Sequence, residues 1–302
     1  MSDGLDYLSP GAGFLEADRP GADAPEDARA VVIPFGLEAS VSYGGGTAKG
    51  PAAILAASEQ LELYDEELHC TPSAVAGIAT LAEPQIAPGQ ASALDQIEAL
   101  VRQVADAGRF PIVLGGEHAL TPGAIRPFVR DGEPLVILQI DAHADLRDGY
   151  LGEHFSHASA MRRVLDLPDI TVVSVGIRAI SEGEVAFYDA NRDRVVIHWA
   201  KDMANWSVPE IVVPMRGKRL YITFDIDGLD SAVMPATGTP TPGGLGFWQA
   251  MGICRAACEA ASEVVGADVV ELAPIDGLHA CDYTAALVAH KLIAYARCQP
   301  AR

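Results

Sequence analysis

Strand-length apolar runs alternate with longer amphipathic segments along most of this chain, and this alternation limits the fold more than any other feature. The predicted strands are Ala30–Phe35, Phe110–Leu114, Leu135–Ile140, Ile170–Gly176, Val195–Trp199, Arg219–Phe224 and Ala267–Leu272. The predicted helices are Pro51–Tyr64, Ala91–Ala107, Thr121–Val129, His157–Leu165, Glu182–Ala190, Phe247–Glu263 and Tyr283–Ala296. Because the strands are apolar throughout, both faces of their sheet should be covered. The pattern predicts an α/β fold, a three-layer α/β/α sandwich with a mostly parallel central sheet.

Composition separates a short first segment from the rest of the chain. Residues 1–28 are rich in Gly, Pro, Ala and Asp, which predicts an irregular N-terminal arm. Residues 29–302 contain neither an internal repeat nor a recognisable linker, and a chain of 302 residues fits one large α/β unit. We therefore expect a single domain over residues 29–302.

Charge and cysteine content bear on the partners and the location. A net charge of −20 argues against nucleic acid and anionic membranes, and it is compatible with a small cationic substrate or simply with solubility. The five cysteines include no CxxC pair, which argues against a zinc cluster. The N-terminus lacks the pattern of a signal peptide, and no apolar run reaches membrane-spanning length. A cytoplasmic location is expected.

Polar residues that can bind metal or substrate lie at the carboxyl ends of four predicted strands. His118 comes shortly after the strand that ends at Leu114, and Asp141 and Asp225 directly follow two other strands. Glu271 lies near the end of the last strand. The carboxyl ends of parallel strands meet at one edge of the sheet, where ligands bind in open α/β folds. We expect these side chains to converge there.

Two short motifs supply most of the candidate metal ligands. Asp141–Asp145 carries three ligand-type residues at alternate positions, which an extended backbone sends to the same side, and Asp225–Asp227 repeats the arrangement. The complete set of candidate ligands is His118, Asp141, His143, Asp145, Asp225 and Asp227. This oxygen-rich set is too large for one tetrahedral zinc and favours two Mn²⁺ or similar ions. Paired ions that activate a water predict metal-assisted hydrolysis.

Each motif alone has a simpler structural explanation. Asp-Ile-Asp after a strand often caps a turn, and Gly-Gly-Glu-His is often a tight turn with a hydrogen-bonded histidine. Their common position at one sheet edge favours the metal centre over these separate explanations.

With these motifs the chain resembles the ureohydrolases, the family of arginase and agmatinase, over nearly its whole length. The motifs that carry the resemblance are Ser42–Thr47, Gly115–His118, Asp141–Asp145, Asp225–Asp230, Thr237–Pro240 and Glu271–Pro274. Within the family, Asp145–Asp148 and Phe155–Arg163 look most like bacterial and archaeal agmatinases. The resemblance implies an arginase-like version of the predicted fold and a homo-oligomer, a trimer or a hexamer.

The resemblance also implies a role for each site residue. One Mn²⁺ ion would be held by His118, Asp141, Asp145 and Asp225, and the second by Asp141, His143, Asp225 and Asp227. A metal-bridging hydroxide would attack the guanidinium carbon, and Asp145 would accept a hydrogen bond from it. Glu271 would pair with the guanidinium cation, and His157 would pass a proton to the leaving amine. By chemistry alone His154 could serve as well, and the family pattern selects His157.

Two departures from the arginase pattern bear on the substrate. Arginases hold the amino-acid head of arginine partly through an Asn where this chain has Arg147, and through an Asp where it has Ala179. We therefore predict agmatine, cleaved to urea and putrescine. Guanidinobutyrate stays an alternative because Arg147, Arg162 or Arg163 could bind its carboxylate, although Arg162 and Arg163 are better explained as partners of surface acids. Arginine itself is the remaining guanidino alternative.

Two alternative functions outside the ureohydrolases also stay open. A mononuclear zinc amide hydrolase of the deacetylase kind can share this architecture, but it would not need Asp145, Asp227 and Glu271 in the roles given above. A metal-binding homologue without catalytic activity is the other alternative, and it is disfavoured because none of the expected ligands is missing from the sequence.

Overall fold

Eight parallel strands form the centre of the molecule in the computed structural model, which describes residues 4–299. The strands are β1 (Ala30–Phe35), β2 (Ile78–Thr80), β3 (Phe110–Gly115), β4 (Leu135–Ile140), β5 (Ile170–Ile177), β6 (Val195–Trp199), β7 (Arg219–Asp225) and β8 (Glu263–Val270). Their order across the sheet is β2-β1-β3-β8-β7-β4-β5-β6, and every neighbouring pair is parallel. The prediction of a largely parallel sheet is confirmed.

Helices cover both faces of this sheet. They are α1 (Gly50–Ser58), α2 (Pro72–Ala76), α3 (Gln90–Asp106), α4 (Thr121–Ile125), α5 (Ala160–Leu165), α6 (Glu182–Ala190), α7 (Val208–Ile211), α8 (Phe247–Ala260) and α9 (His279–Arg297). Successive strand residues enter two separate apolar cores: Val136 and Leu138 pack on the side of α8 and α9, and Ile137 on the side of α3 to α5. A strand buried on both faces must be apolar throughout, which explains the solid runs in the sequence. The three-layer sandwich is confirmed.

Several predicted boundaries were wrong at the ends of elements. The last strand is Glu263–Val270 rather than Ala267–Leu272, because α8 already ends at Ala260 and the chain becomes extended at Ala261. The short strand β2 was missed, since three residues carry little periodic signal. The predicted helix Thr121–Val129 ends its α-helical part at Ile125 and continues as a 3-10 turn that contains Pro127. Proline lacks the N–H that the next helical hydrogen bond needs.

The other shifts are similar in kind. The helix α1 ends at Ser58 instead of Tyr64, and α9 begins at His279 instead of Tyr283. His157 lies in a 3-10 turn, His157–Ser159, and α5 begins only at Ala160. Such end effects are common because tight turns and α-helices share the same sequence patterns.

The N-terminal segment packs against the sheet edge at β2. It contains 3-10 turns at Pro10–Ala12 and Pro25–Asp27, and Phe14 and Leu15 are buried. The backbone N–H of Phe14 donates to Thr80 Oγ1 at 2.9 Å. The division into an arm over residues 1–28 and a domain over 29–302 stays a prediction, and residues 1–3 and 300–302 of these segments lie outside the described residues.

Sheet order explains why the candidate ligands can meet. The strands that precede the four segments with candidate site residues, β3, β8, β7 and β4, are direct neighbours at the centre of the sheet. Their carboxyl ends therefore lie side by side, although His118 and Glu271 are 153 positions apart in the sequence. Within residues 4–299, no helix combines the length and the apolar composition that crossing a membrane would require.

The turn after β3 depends on a glycine that contacts a neighbouring loop. A Cβ atom at Gly116 would overlap the carbonyl group of Leu37, whose carbon would lie 2.8 Å away. We predict that Gly116→Ala lowers the free energy of unfolding by about 2 kcal/mol or more, because backbone rather than a movable side chain blocks the space. Denaturant unfolding measures this change.

The matched control is Gly252→Ala in the interior of α8, where an added Cβ meets nothing within 4 Å. This variant should raise stability by about 0.5–1 kcal/mol, because alanine favours the helix. Equal stability of Gly116→Ala and the wild type would contradict the packing described for the turn.

Candidate active site

The candidate site lies where β3, β4, β7 and β8 end. After β3 the chain is tied to the segment that follows β1: Gly116 N–H donates to Phe35 O at 3.0 Å and Glu117 N–H to Leu37 O at 2.8 Å. This turn directs the side chain of His118 over the ends of the central strands.

A first group of ligand atoms surrounds His118. Its Nδ1 lies 3.2 Å from Asp141 Oδ2, 3.1 Å from Asp145 Oδ2 and 3.4 Å from Asp225 Oδ2. All four side chains are buried. His118, Asp141 and Asp145 have ligand atoms close enough together to hold one metal ion.

A second group shares Asp141 with the first. His143 Nδ1 lies 3.0 Å from Asp227 Oδ2 and 3.7 Å from Asp141 Oδ1. Asp141, His143 and Asp227 form a second set that can hold a metal ion. The structure thus brings together all six residues proposed as ligands from the sequence, in two overlapping groups.

Hydrogen bonds orient Asp141 and Asp225. Asp141 accepts the side-chain amide of Gln139 at 2.8 Å and the backbone N–H of His143 at 2.6 Å. Asp225 accepts the backbone N–H of Asp227 at 2.9 Å. None of these three donors removes the need for positive charge, because amide groups carry no net charge.

A buried hydrogen-bond chain fixes the orientation of His118. Thr223 Oγ1 donates to Asp268 Oδ1 at 2.6 Å, and His118 Nε2 lies 2.8 Å from the same hydroxyl. Since the only proton of this hydroxyl is given to Asp268, His118 must donate through Nε2–H when it is neutral. Its Nδ1 lone pair then faces the carboxylates, and that buried atom has no hydrogen-bond partner among the described residues. This arrangement fits a cation at that point, held as metal-ligating histidines usually are.

Glu271 and Asp145 lie in an unusual backbone conformation. Their φ angles are 67° and 52°, in the left-handed region that few residues other than glycine adopt. The turn at Glu271 is held by its N–H, which donates to Gly116 O at 2.8 Å, and its Oε1 accepts the backbone N–H of His118 at 2.6 Å. Such strained residues are concentrated at functional sites.

A cavity of about 400 Å³ opens above these groups, within the size range of small-ligand sites. His157 lines it and places Nδ1 3.0 Å from Ser40 Oγ. His154, the alternative to His157, instead contacts Arg163 and packs edge-on against Phe155, and it is not among the residues that line the cavity.

Comparison with known proteins identifies the family. The Arginase family pattern matches residues 28–297. The chain belongs to the arginase family. The resemblance to ureohydrolases is thereby confirmed, and the chain is an enzyme of that class, a hydrolase that acts on guanidino compounds.

Individual relatives of this ureohydrolase are similar over nearly their whole length. The N(1)-aminopropylagmatine ureohydrolase of Synechocystis sp. is 38% identical, with 93% of each chain covered. The agmatinase of Bacillus anthracis is 34% identical over 83% of this chain and 85% of its own. Among solved structures, the agmatine ureohydrolase of Thermoplasma volcanium superposes with a TM-score of 0.81 at 32% identity, covering 93% of this chain and 94% of that one.

Crowding of buried carboxylates changes their protonation in this ureohydrolase. Burial, together with the charge of Asp141, raises the pKa of Asp145 to about 7. Burial and the charges of Asp227 and Asp141 raise the pKa of Asp225 well above its usual range. Burial opposes protonation of His118, yet the aspartate carboxylates close to its Nδ1 raise its pKa well above 6.5. These three raised pKa values indicate a pocket with excess negative charge, which a divalent cation would neutralise.

The arginines proposed as carboxylate partners differ in position. Arg163 pairs with Asp148 at 2.8 Å and Asp166 at 2.9 Å, and Arg162 lies 3.6 Å from Asp148. Both therefore pair with acidic surface residues. Arg147 lines the cavity, where its guanidinium stacks on the ring of Tyr150 at 4.8 Å from the ring centre.

The sequence patterns did not lead us to the residues that hydrogen-bond to the candidate ligands or to their partners. Thr223, Asp268 and Gln139 lie inside strands that are otherwise apolar, and each hydrogen-bonds to a candidate ligand or to its partner. Their signal was present in the sequence, since a lone acid or amide within a buried strand requires a hydrogen-bond partner.

Metal removal should make stability strongly dependent on pH. Burial raises the pKa of Asp145 to about 7 and that of Glu271 to about 8, so the folded chain retains protons that unfolded carboxyls lose near pH 4. Burial opposes protonation of His143, but Asp227 raises its pKa to about 12, which acts in the same direction. We predict that the metal-free protein loses stability as the pH rises from about 6.5 to about 8, by about 1.4 kcal/mol per pH unit for each extra proton held.

Thermal melts of chelator-treated protein across this pH range measure the effect, and manganese-loaded protein is the control. Loading should raise the melting temperature most at the upper end of the range, because metal binding is favoured as protons leave its ligands. A metal-free melting temperature that stays constant or rises would contradict the prediction.

Proposed function

We propose that this ureohydrolase binds two Mn²⁺ ions and hydrolyses the guanidinium group of agmatine to urea and putrescine. The observation that carries the proposal is the pair of ligand groups that share Asp141 at the floor of a cavity also lined by Glu271 and His157.

The donor set supports manganese at both positions. One ion would be held by His118, Asp141, Asp145 and Asp225, and the other by Asp141, His143, Asp225 and Asp227. Four carboxylates with two imidazoles suit Mn²⁺ better than the sulfur- and nitrogen-rich sets typical of structural zinc. When bound, such a pair of ions lowers the pKa of a water molecule and orients it for attack.

Glu271 and Asp145 would position the two reactants. The guanidinium group is a planar cation that pairs well with a carboxylate, and Glu271 presents one from the cavity wall. Burial raises the pKa of Glu271 to about 8, and a bound cation would favour its ionised form. Asp145 would accept a hydrogen bond from the attacking water and so hold it in line with the guanidinium carbon.

His157 would supply the proton that the leaving amine needs. An amine departs as a neutral or protonated species rather than as an anion, so a group that delivers a proton lowers the barrier. His157 is half-buried at the cavity, and burial lowers its pKa to about 4, with the nearby His118 and His143 acting in the same direction. It is therefore neutral at neutral pH and able to take up a proton during the reaction and pass it on.

The cavity favours a guanidino amine over arginine. The two positions at which arginases hold the amino-acid head are Arg147 and Ala179 in this chain, and neither provides the expected polar group. A second candidate substrate is N(1)-aminopropylagmatine, because the relatives that share 38% and 37% identity carry that activity in their names. We also propose a cytoplasmic location and, following the family resemblance, a homo-oligomer, a trimer or a hexamer.

Guanidinobutyrate remains a third candidate because of one arginine. Arg147 lines the cavity, where its Nε lies 4.0 Å from Glu184 and its guanidinium stacks on Tyr150. These contacts leave some of its donors for a substrate carboxylate. They equally allow Arg147 to act only as part of the wall.

Steady-state kinetics with four substrates tests the choice. Agmatine and N(1)-aminopropylagmatine should be hydrolysed with kcat/KM at least about 100-fold above that for arginine, because Arg147 and Ala179 stand where arginases have the Asn and Asp that hold the amino-acid head. Urea release after manganese loading is the measurement, and guanidinobutyrate completes the series. A preference for arginine would refute the proposed specificity, and a preference for guanidinobutyrate would assign its carboxylate to Arg147.

Substitution of the two neighbouring histidines tests the proton transfer. His157→Ala should lower kcat by about 100-fold or more, the usual contribution of a general acid. The matched control, His154→Ala, removes an imidazole that contacts Arg163 instead of the cavity and should keep turnover close to that of the wild type.

Metal content has to be measured in the same variants. A metal content near two manganese ions per chain in the wild type and both variants would show that the loss of turnover in His157→Ala arises from the missing imidazole. Unchanged turnover in His157→Ala with full metal content would remove this role, and one zinc per chain in the wild type would favour the mononuclear alternative.

A further inference from the structure

Two residues outside the metal ligands and the substrate contacts hold the ring of His157. Ser40 lies in the segment after β1, and Glu117 is the third residue of Gly115-Gly116-Glu117-His118. Ser40 Oγ lies 3.0 Å from His157 Nδ1 and 2.9 Å from Glu117 Oε2. The same hydroxyl oxygen accepts the backbone N–H of His157 at 3.0 Å.

The hydrogen bonds of Glu117 show why its carboxylate acts as an acceptor. Oε1 accepts the backbone N–H groups of Ala39 at 2.7 Å and Ser40 at 3.0 Å, and Oε2 lies 2.9 Å from Ser40 N. Glu117 is only 1% exposed, so these donors replace water. An ionised carboxylate can only accept, and hydrogen bonds to it are stronger than those between neutral groups.

Counting donors at Ser40 then determines the protonated nitrogen of His157. The hydroxyl has one proton and two lone pairs. If the proton is given to Glu117, both contacts with His157 must be received by the oxygen, one from the backbone N–H and the other from Nδ1–H. The neutral ring then carries its proton on Nδ1, which leaves Nε2 with a lone pair to serve the cavity.

We propose that Ser40, oriented by Glu117, is a positioning residue that holds His157 in the Nδ1–H form with Nε2 available for proton transfer. The effect on turnover rests on the proposed function, whereas the tautomer itself does not. A ring with the opposite tautomer would present Nε2–H to the cavity and could not take up a proton there. A hydrogen-bonding partner fixes the catalytic tautomer of histidine in other hydrolases by the same principle.

The direct test determines the tautomer in the metal-free protein. Nitrogen-15 NMR of protein labelled at histidine distinguishes Nδ1–H from Nε2–H, and a His157→Gln sample identifies the signal among the eight histidines of the chain. At about pH 7.5, where a neutral imidazole predominates, wild type should show Nδ1–H and Ser40→Ala a mixture of both forms. Nε2–H in the wild type would overturn the proposal, whether or not any variant folds.

The kinetic test separates positioning from substrate binding. In manganese-loaded protein, Ser40→Ala should lower kcat by about tenfold or more, a part of the contribution of a general acid, while KM stays within about twofold. Ser40→Thr keeps the hydroxyl and should restore most of the loss. The control is Ser207→Ala, a half-buried serine at the start of α7 whose side chain does not cap that helix.

The outcomes separate the proposed hydrolase activity from the positioning role of Ser40. A wild type that releases no urea from any of the guanidino substrates would refute the proposed function, while the NMR result would still decide the tautomer. An active wild type with equal kcat in Ser40→Ala would overturn the positioning role. A loss in Ser40→Ala that Ser40→Thr fails to restore would likewise count against a role of the hydroxyl.

Discussion

Repulsion between buried carboxylates is the constraint on which the rest of the structure depends. Asp141, Asp145, Asp225 and Asp227 are all less than 10% exposed and lie at one point of the sheet edge. Like charges in a poorly solvated place are costly, and the high pKa values of Asp145 and Asp225 reflect this cost. A rigid parallel sheet with apolar cores on both faces is the framework that can hold such groups together, because its strand ends have little freedom to move apart.

The layers and the ligands could be read from the sequence, because both follow from local patterns. Apolar runs such as Leu135–Ile140 are typical of strands buried on both faces, and ligands that directly follow such strands lie at the sheet edge. The ends of helices and strands were harder to predict from the sequence. The boundary between α8 and β8, for example, depends on an extended turn at Ala261 that no residue type signals. The contact of Ser40 with His157 joins residues 117 positions apart, and no local pattern predicts it.

Several candidate ligands are oriented by partners that contribute no charge to the metal pocket. His118 is oriented by Thr223, and Asp141 by Gln139. Glu117 acts in a similar way on His157 through Ser40. The Gly115–His118 motif thus combines two contacts in adjacent residues, since His118 faces the carboxylates while Glu117 binds Ser40, which in turn contacts His157.

The central position of β8 has a consequence for the newly synthesised chain. This strand is made last and inserts between β3 and β7, and it brings Glu271 against the backbone of His118. A nascent chain that has emerged only as far as β6 already contains His118, Asp141, His143 and Asp145, yet it lacks the aspartates at the end of β7. The two proposed ions can be held together only after β7 has been made, so we expect the chain to complete its metal centre only once most of the sheet has been synthesised.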